Sequence, residues 1–173
     1  MNLELKKIKL PEIGFFQQKM VESFQRGVLE RFGDVNAAPI PPEDDLQRSM
    51  QSDNTDLWAI MLDGVPAGAT VVSKDVVPGK YSLDLLFIFK EFSNKQIGSK
   101  AWQLIESTYP EAKLWETHTP YFERRNIHFY VNKCGFKIVE FFNESHREVE
   151  HDLTDEFKDI KTSGFFRFEK VMK

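Results

Sequence analysis

Residues 3–10, reading LELKKIKL, alternate apolar and polar with a rough period of two and then meet Pro11, which predicts a first strand and its stop. Ile13, Phe16, Met20, Phe24, Val28 and Phe32 recur at spacings of three and four, so one apolar stripe predicts a helix that Gly33 and Asp34 end. The prolines of NAAPIPPEDD mark a loop, and the acids Glu43, Asp44 and Asp45 after Pro42 predict a second helix near DLQRSMQ. This loop is either a cleft rim or a plain connector.

DLWAIML, the dipeptide Asp63-Gly64 and VPAGATVV read as a strand, a tight turn and a second strand. A turn at Pro78-Gly79 leads into YSLDLLFIFKEF, whose dense apolar run predicts a central strand buried on both faces. From about residue 95 to 109, Ile97, Ala101, Leu104 and Ile105 share one helical face, with Pro110 as the stop. KLWETHT reads as the next strand, which makes a right-handed crossover between parallel neighbours.

A helix over 126–133 ending at Gly135, a strand at KIVEFF and a closing strand at FFRFEKVM complete the pattern. Between the last two lies a polar, acidic stretch, 143–163, long enough for a short helix or a substrate-side flap. The expectation is one mixed α/β domain over 1–173: antiparallel hairpins, one parallel strand-helix-strand crossover, and a last hairpin.

Charge and composition narrow the function classes. A net charge of −4 offers no basic field for nucleic acid, and the group Lys6, Lys7, Lys9 reads as an edge-strand face that discourages pairing with other chains. No run approaches a membrane span, and the N-terminus has neither signal core nor transit helix. Cys134 is the only cysteine, which excludes an intramolecular disulfide and suits a reducing compartment, so the expected location is cytoplasmic. It reads as a small packed residue rather than a nucleophile. His146 and His151 lack the spacing of zinc helices and no metal is expected. No Gly-x-Ser-x-Gly turn, P-loop or dinucleotide fingerprint occurs.

The segment richest in chemistry is LFIFKEFSNKQIGSKAW, where a strand passes through a short polar loop into the first turn of an amphipathic helix. Free backbone N–H groups and the positive end of the helix dipole suit such a turn to a phosphate. Ser93, Gln96 and Gly98 stand where the GNAT acetyltransferase superfamily has Gln or Arg, then Gly, then Gly or Ala, so this segment resembles that fingerprint with the last position kept in type. Gln96 replaces a glycine and is expected to fit without unusual dihedrals. Downstream, RRNIHFYVNKCGFKIVEFF is similar to the family's helix-and-strand motif, through Asn126, Phe129, Tyr130, Gly135 and Phe136. The family's tyrosine stands five residues before the Phe of Gly-Phe, here Val131; Tyr130 is one residue earlier, a slip that an extra residue at the helix end absorbs.

The resemblance implies a V-shaped gap between the fourth and fifth strands in which acetyl-CoA lies like a missing strand. Its pantetheine amides would pair with backbone at Leu86, Phe87 and Ile88. Its pyrophosphate would rest on amides of Ser93, Asn94, Lys95, Gln96, Ile97, Gly98 and Ser99, and Asn126 and Tyr130 would also contact the cofactor. A substrate amine would attack the acetyl carbonyl directly, with Tyr130 as the candidate acid and Asp84, Glu116 or His118 as base, directly or through water. Asp84 is expected at the start of the buried central strand. The bland alternatives are that Asp84 satisfies turn amides, that Glu116 pairs with a Lys or Arg, and that Tyr130 is core. A non-catalytic acyl-CoA-binding or protein-interaction module on the same fold is the rival reading. Exposed aromatics such as Phe165 and Phe166, with the edge strands, leave a homodimer open.

Overall fold

A computed structural model describes residues 1–36, 45–93, 96–146 and 164–173. Its strands are β1 (Leu3–Lys7), β2 (Thr55–Leu62), β3 (Val65–Lys74), β4 (Lys80–Ile88), β5 (Leu114–Pro120), β6 (Lys137–Phe142) and β7 (Phe165–Val171). The helices are α1 (Ile13–Phe32), α2 (Asp45–Met50), α3 (Ile97–Thr108) and α4 (Arg124–His128). No helix among the described residues is long and apolar enough to cross a membrane.

One seven-stranded sheet has the order β1-β2-β3-β4-β5-β7-β6. Among the described residues only β4 and β5 pair in parallel, and α3 is the crossover between them, as the sequence pattern implied. The last strand inserts between β5 and β6, so Phe165 is buried and Phe166 half-buried, rather than exposed as the sequence suggested.

Helix α1 ends where its stripe ends, because Gly33 takes φ 73° and its N–H bonds the Leu29 carbonyl. The stripe buries Ile13, Phe16 and Met20 against Leu57, Ala59, Val71, Phe87 and Phe89 on one face of the sheet. Gln17 Oε1 accepts the Leu46 N–H at 2.9 Å and thereby ties α2 to α1. The opposite face packs Trp102 and Ile105 of α3 with Leu83, Trp115, Tyr130, Phe136 and Phe168.

Strand β4 departs from expectation in two ways. Its residues alternate between the two faces instead of being uniformly buried. It also carries a bulge: Val71 pairs with Leu85 and Val72 with Leu83, so Asp84 is the extra residue, in mid-strand and exposed. Gly68 of β3 is required beside this strand, since a Cβ there would lie 2.3 Å from the Phe87 carbonyl oxygen.

The helix expected over 126–133 is also different. It begins at Arg124, stays α-helical to His128, and widens into a π turn over Phe129–Lys133, closed by Cys134 N–H to the Phe129 carbonyl at 3.0 Å. Gly135 follows with φ 82°.

Candidate active site

The parallel ladder of β4 and β5 holds only from Lys80–Leu114 to Ser82–Glu116. Beyond it the strands part. β4 stays paired with β3 as far as Ile88, and β5 stays paired with β7 as far as Pro120. The inner edges of 83–88 and 117–120 therefore have no strand opposite them among the described residues. Backbone donors and acceptors on such edges demand a partner. Leu86, Phe87 and Ile88 lie on the β4 edge; Phe87 is buried toward α1, while Leu86 and Ile88 pack toward α3.

A side-chain relay closes the apex of the V. Thr117 Oγ1 donates to the Leu83 carbonyl at 2.8 Å, and its hydroxyl is also the hydrogen-bond partner of the Tyr130 phenol. Burial pushes that phenol up to about 12, against the opposing effect of Thr117. Tyr130 reaches the apex because the π turn inserts the extra residue its spacing requires. Its ring is fixed by edge contacts to Phe129 and Phe136 and a tilted contact to Phe168.

Past the open end of β4, a 3-10 turn at Lys90–Phe92 leads to α3. No side chain among the described residues caps α3, and its first backbone bond is Lys100 N–H to the Gln96 carbonyl. Ser93 turns its hydroxyl back to the Lys90 carbonyl at 2.8 Å, so it leaves the helix terminus clear. Gln96, expected to avoid glycine-like dihedrals, adopts φ 56° and ψ 18°. The left-handed residue of the turn is thus retained although its side chain is not glycine, a strain of about 1–2 kcal/mol. Ile97 is buried, and Gly98 admits the Phe129 ring, whose nearest atom would lie 3.2 Å from an added Cβ. Ser99 is partly exposed in the first turn. Asn94 and Lys95 lie outside the described residues. Asn126, exposed on α4, donates through Nδ2 to Thr119 Oγ1 at 3.3 Å and so fastens α4 to the end of β5.

The two carboxylates expected near the reacting centre have different surroundings. Asp84 accepts a hydrogen bond from Ser73, which shares the α1 face with Val71 and Ala69, so the bulge turns this carboxylate to the α1 side. Glu116 lies between Arg167 at 3.1 Å, Lys80 at 3.6 Å and His118 at 4.0 Å. Arg167 also bonds Glu140 at 2.9 Å and Glu169. Glu116 is therefore a member of an ion cluster. Cys134 is buried, and burial pushes its thiol up to about 12, which makes it a packing group.

Thr117 and Glu123 were not singled out by sequence. Thr117 alternates in register with the buried Trp115, which is a usable signal for an inward hydroxyl. Glu123 carries no such signal, since its half-buried position is created by α1 crossing above it. A small hollow of about 150 Å³ lined by Lys6, Phe15, Phe16, Met61 and Pro66 lies at the β1 edge, away from the parted strands, and contains none of these groups.

A parallel crossover into an uncapped helix, beside two strands that separate after a short ladder, is the arrangement of an acetyltransferase fold. The sequence profile of the GNAT acetyltransferase family matches residues 21–136, and the chain belongs to that family. It is similar to the uncharacterized protein YrkN of Bacillus subtilis strain 168, with 44% identity over 99% of this chain and 93% of that one. Among solved structures, an acetyltransferase from Thermus thermophilus superposes with TM-score 0.72 at 12% identity, covering 99% and 98% of the two chains. PaiA N-acetyltransferase from Thermoplasma acidophilum, in complex with coenzyme A, gives TM-score 0.66 at 14% identity over 99% and 100%. Spermidine N-acetyltransferase from Vibrio cholerae, in complex with CoA and spermine, gives 0.64 at 12% identity over 98% and 95%.

Proposed function

We propose that residues 1–173 form one acetyl-CoA-dependent N-acetyltransferase domain acting on a primary amine, in the cytoplasm, where a single buried thiol is at home. The observation that carries this reading is the parting of β4 and β5 immediately after Ser82 and Glu116. An extended pantetheine arm, with its two amides, matches the unpaired edge at Leu86–Ile88, and a diphosphate matches the uncapped N-terminus of α3. The neighbouring folds crystallised with CoA support the same choice of cosubstrate.

In this reading the amine nitrogen, freed of its proton, attacks the acetyl carbonyl carbon; the C–S bond breaks and the sulfur leaves with the electron pair. Asp84, on the α1 side beside the apex, takes the amine proton through water. Glu116, held by Arg167 and Lys80, fixes the floor of that face. Tyr130, its O–H turned from Thr117 Oγ1 to the thioester, hydrogen-bonds the leaving sulfur. Complete proton transfer from a phenol near 12 to a thiolate of ordinary basicity, about 8.5, is uphill by about 5 kcal/mol. Tyr130 therefore acts as a hydrogen-bond donor, and the thiolate gathers its proton from solvent.

Thermal unfolding with added acetyl-CoA tests the reading. Acetyl-CoA at a hundredfold over its dissociation constant is expected to add about 2.7 kcal/mol, which is about 5–10 °C for a domain of this size. An unchanged midpoint at millimolar acetyl-CoA overturns it.

A further inference from the structure

Helix α1 does more than cover the sheet. Its first half packs at the end of β4 through Phe16, whose ring lies 6.2 Å from that of Phe89, the residue after the strand. Its second half reaches the far lip of the V, just after β5. There Phe32 meets Phe122 edge-on at 5.0 Å, and Glu30 accepts a hydrogen bond from Arg125 at 2.9 Å. The helix thus spans the open end of the gap on the side to which the Asp84 bulge turns.

Beneath this span lies Glu123. Its backbone N–H bonds the Pro120 carbonyl at 3.1 Å, which fixes the residue at the lip. Its carboxylate has no hydrogen bond or ion pair among the described residues, because the neighbouring Arg125 is engaged by Glu30. Opposite it α1 presents Gly27, and a Cβ added there would lie 3.3 Å from Glu123 Oε1. A glycine inside an exposed helix costs about 1 kcal/mol relative to alanine, so the bare backbone at this point has a use. It lets one half-buried carboxylate pack directly against the helix backbone. Burial holds that carboxyl above the usual range, with Arg125 opposing and Glu30 reinforcing. A cation placed there would relieve the burial penalty.

We propose that Glu123, set against the bare backbone of Gly27, binds the ammonium head of the acceptor at the α1-covered mouth of the V, and so selects cationic amines. This rests on the acetyl-transfer reading above. It makes Glu123 a specificity-determining group, with the proton chemistry left to the apex.

Steady-state acetylation of a panel of mono-, di- and triamines together with spermine, each against a neutral hydroxyl analogue as competitor, tests it. Glu123→Gln is expected to raise the amine KM at least tenfold, with kcat within threefold and the acetyl-CoA KM unchanged. Glu123→Asp restores part of the loss. Gly27→Ala is expected to raise the unfolding midpoint while also raising the amine KM, a combination that a purely structural role for the pair does not produce. If wild type turns over and the Glu123→Gln amine KM stays within twofold, the assignment of Glu123 is wrong and the transfer reading stands. If wild type acetylates no amine of the panel, the transfer reading falls and this proposal with it.

Discussion

In the proposed transfer, Tyr130 is both anchored by packing and used as a hydrogen-bond donor. Its phenol is held un-ionised by burial and is directed at the strand junction by Thr117. Tyr130→Phe is expected to lower kcat about a hundredfold with acetyl-CoA affinity unchanged, as single-turnover rates and calorimetry together will show. The same change removes one buried hydrogen bond and costs about 1 kcal/mol of stability in denaturant melts. Glu123 gives a pH-dependent expectation. Its carboxyl binds its proton more tightly folded than unfolded, so its contribution is fully present below the unfolded value and is lost as pH rises through the folded one. Glu123→Gln is therefore expected to raise the melting midpoint at pH 7 and to leave it unchanged near pH 3. Equal midpoint changes at both pH values refute that sign. Tyr130 was legible in sequence through the Phe-Tyr and Gly-Phe pairs. Glu123 was not, because its burial depends on a helix ninety residues earlier in the chain.

Elements with a strong local pattern were read closely. The α1 stripe and its left-handed stop at Gly33, and the hairpin around Asp63 and Gly64, follow from periodicity and turn chemistry alone. Two elements resisted for the same physical reason: each contains one residue more than its regular repeat. The Asp84 bulge appears only when β4 is counted against β3. The π turn exists because Tyr130 and Phe136 pack as a pair around Phe168, a tertiary demand that overrides the i to i+4 pattern. Gln96 likewise adopts left-handed backbone imposed by its turn rather than by its own preference. The close approach of β3 to β4 makes Gly68 intolerant. Gly68→Ala is expected to cost about 3 kcal/mol or more in chemical denaturation, since the added carbon meets backbone that cannot yield. A loss below about 1 kcal/mol contradicts that packing.

At the scale of the whole molecule, the sheet is held from outside and open within. β3 anchors β4 and β7 anchors β5, so the strands can stand apart without unfolding. α3 closes the junction on one side and α1 bridges it on the other, so the proposed function has the two substrates approach separately. Sequence supplied the parallel crossover but not the insertion of β7 beside β5, and that insertion keeps the outer edge of β5 paired beyond Glu116. The central claim is that the inner edges of β4 and β5 accept an extended thioester arm. Hydrogen exchange of backbone amides, measured with and without saturating acetyl-CoA, tests it most directly. Slowed exchange is expected in peptides covering 84–88 and 96–99, with little change in β1 and β2. Unaltered exchange across 84–88 in a sample that demonstrably binds acetyl-CoA contradicts it.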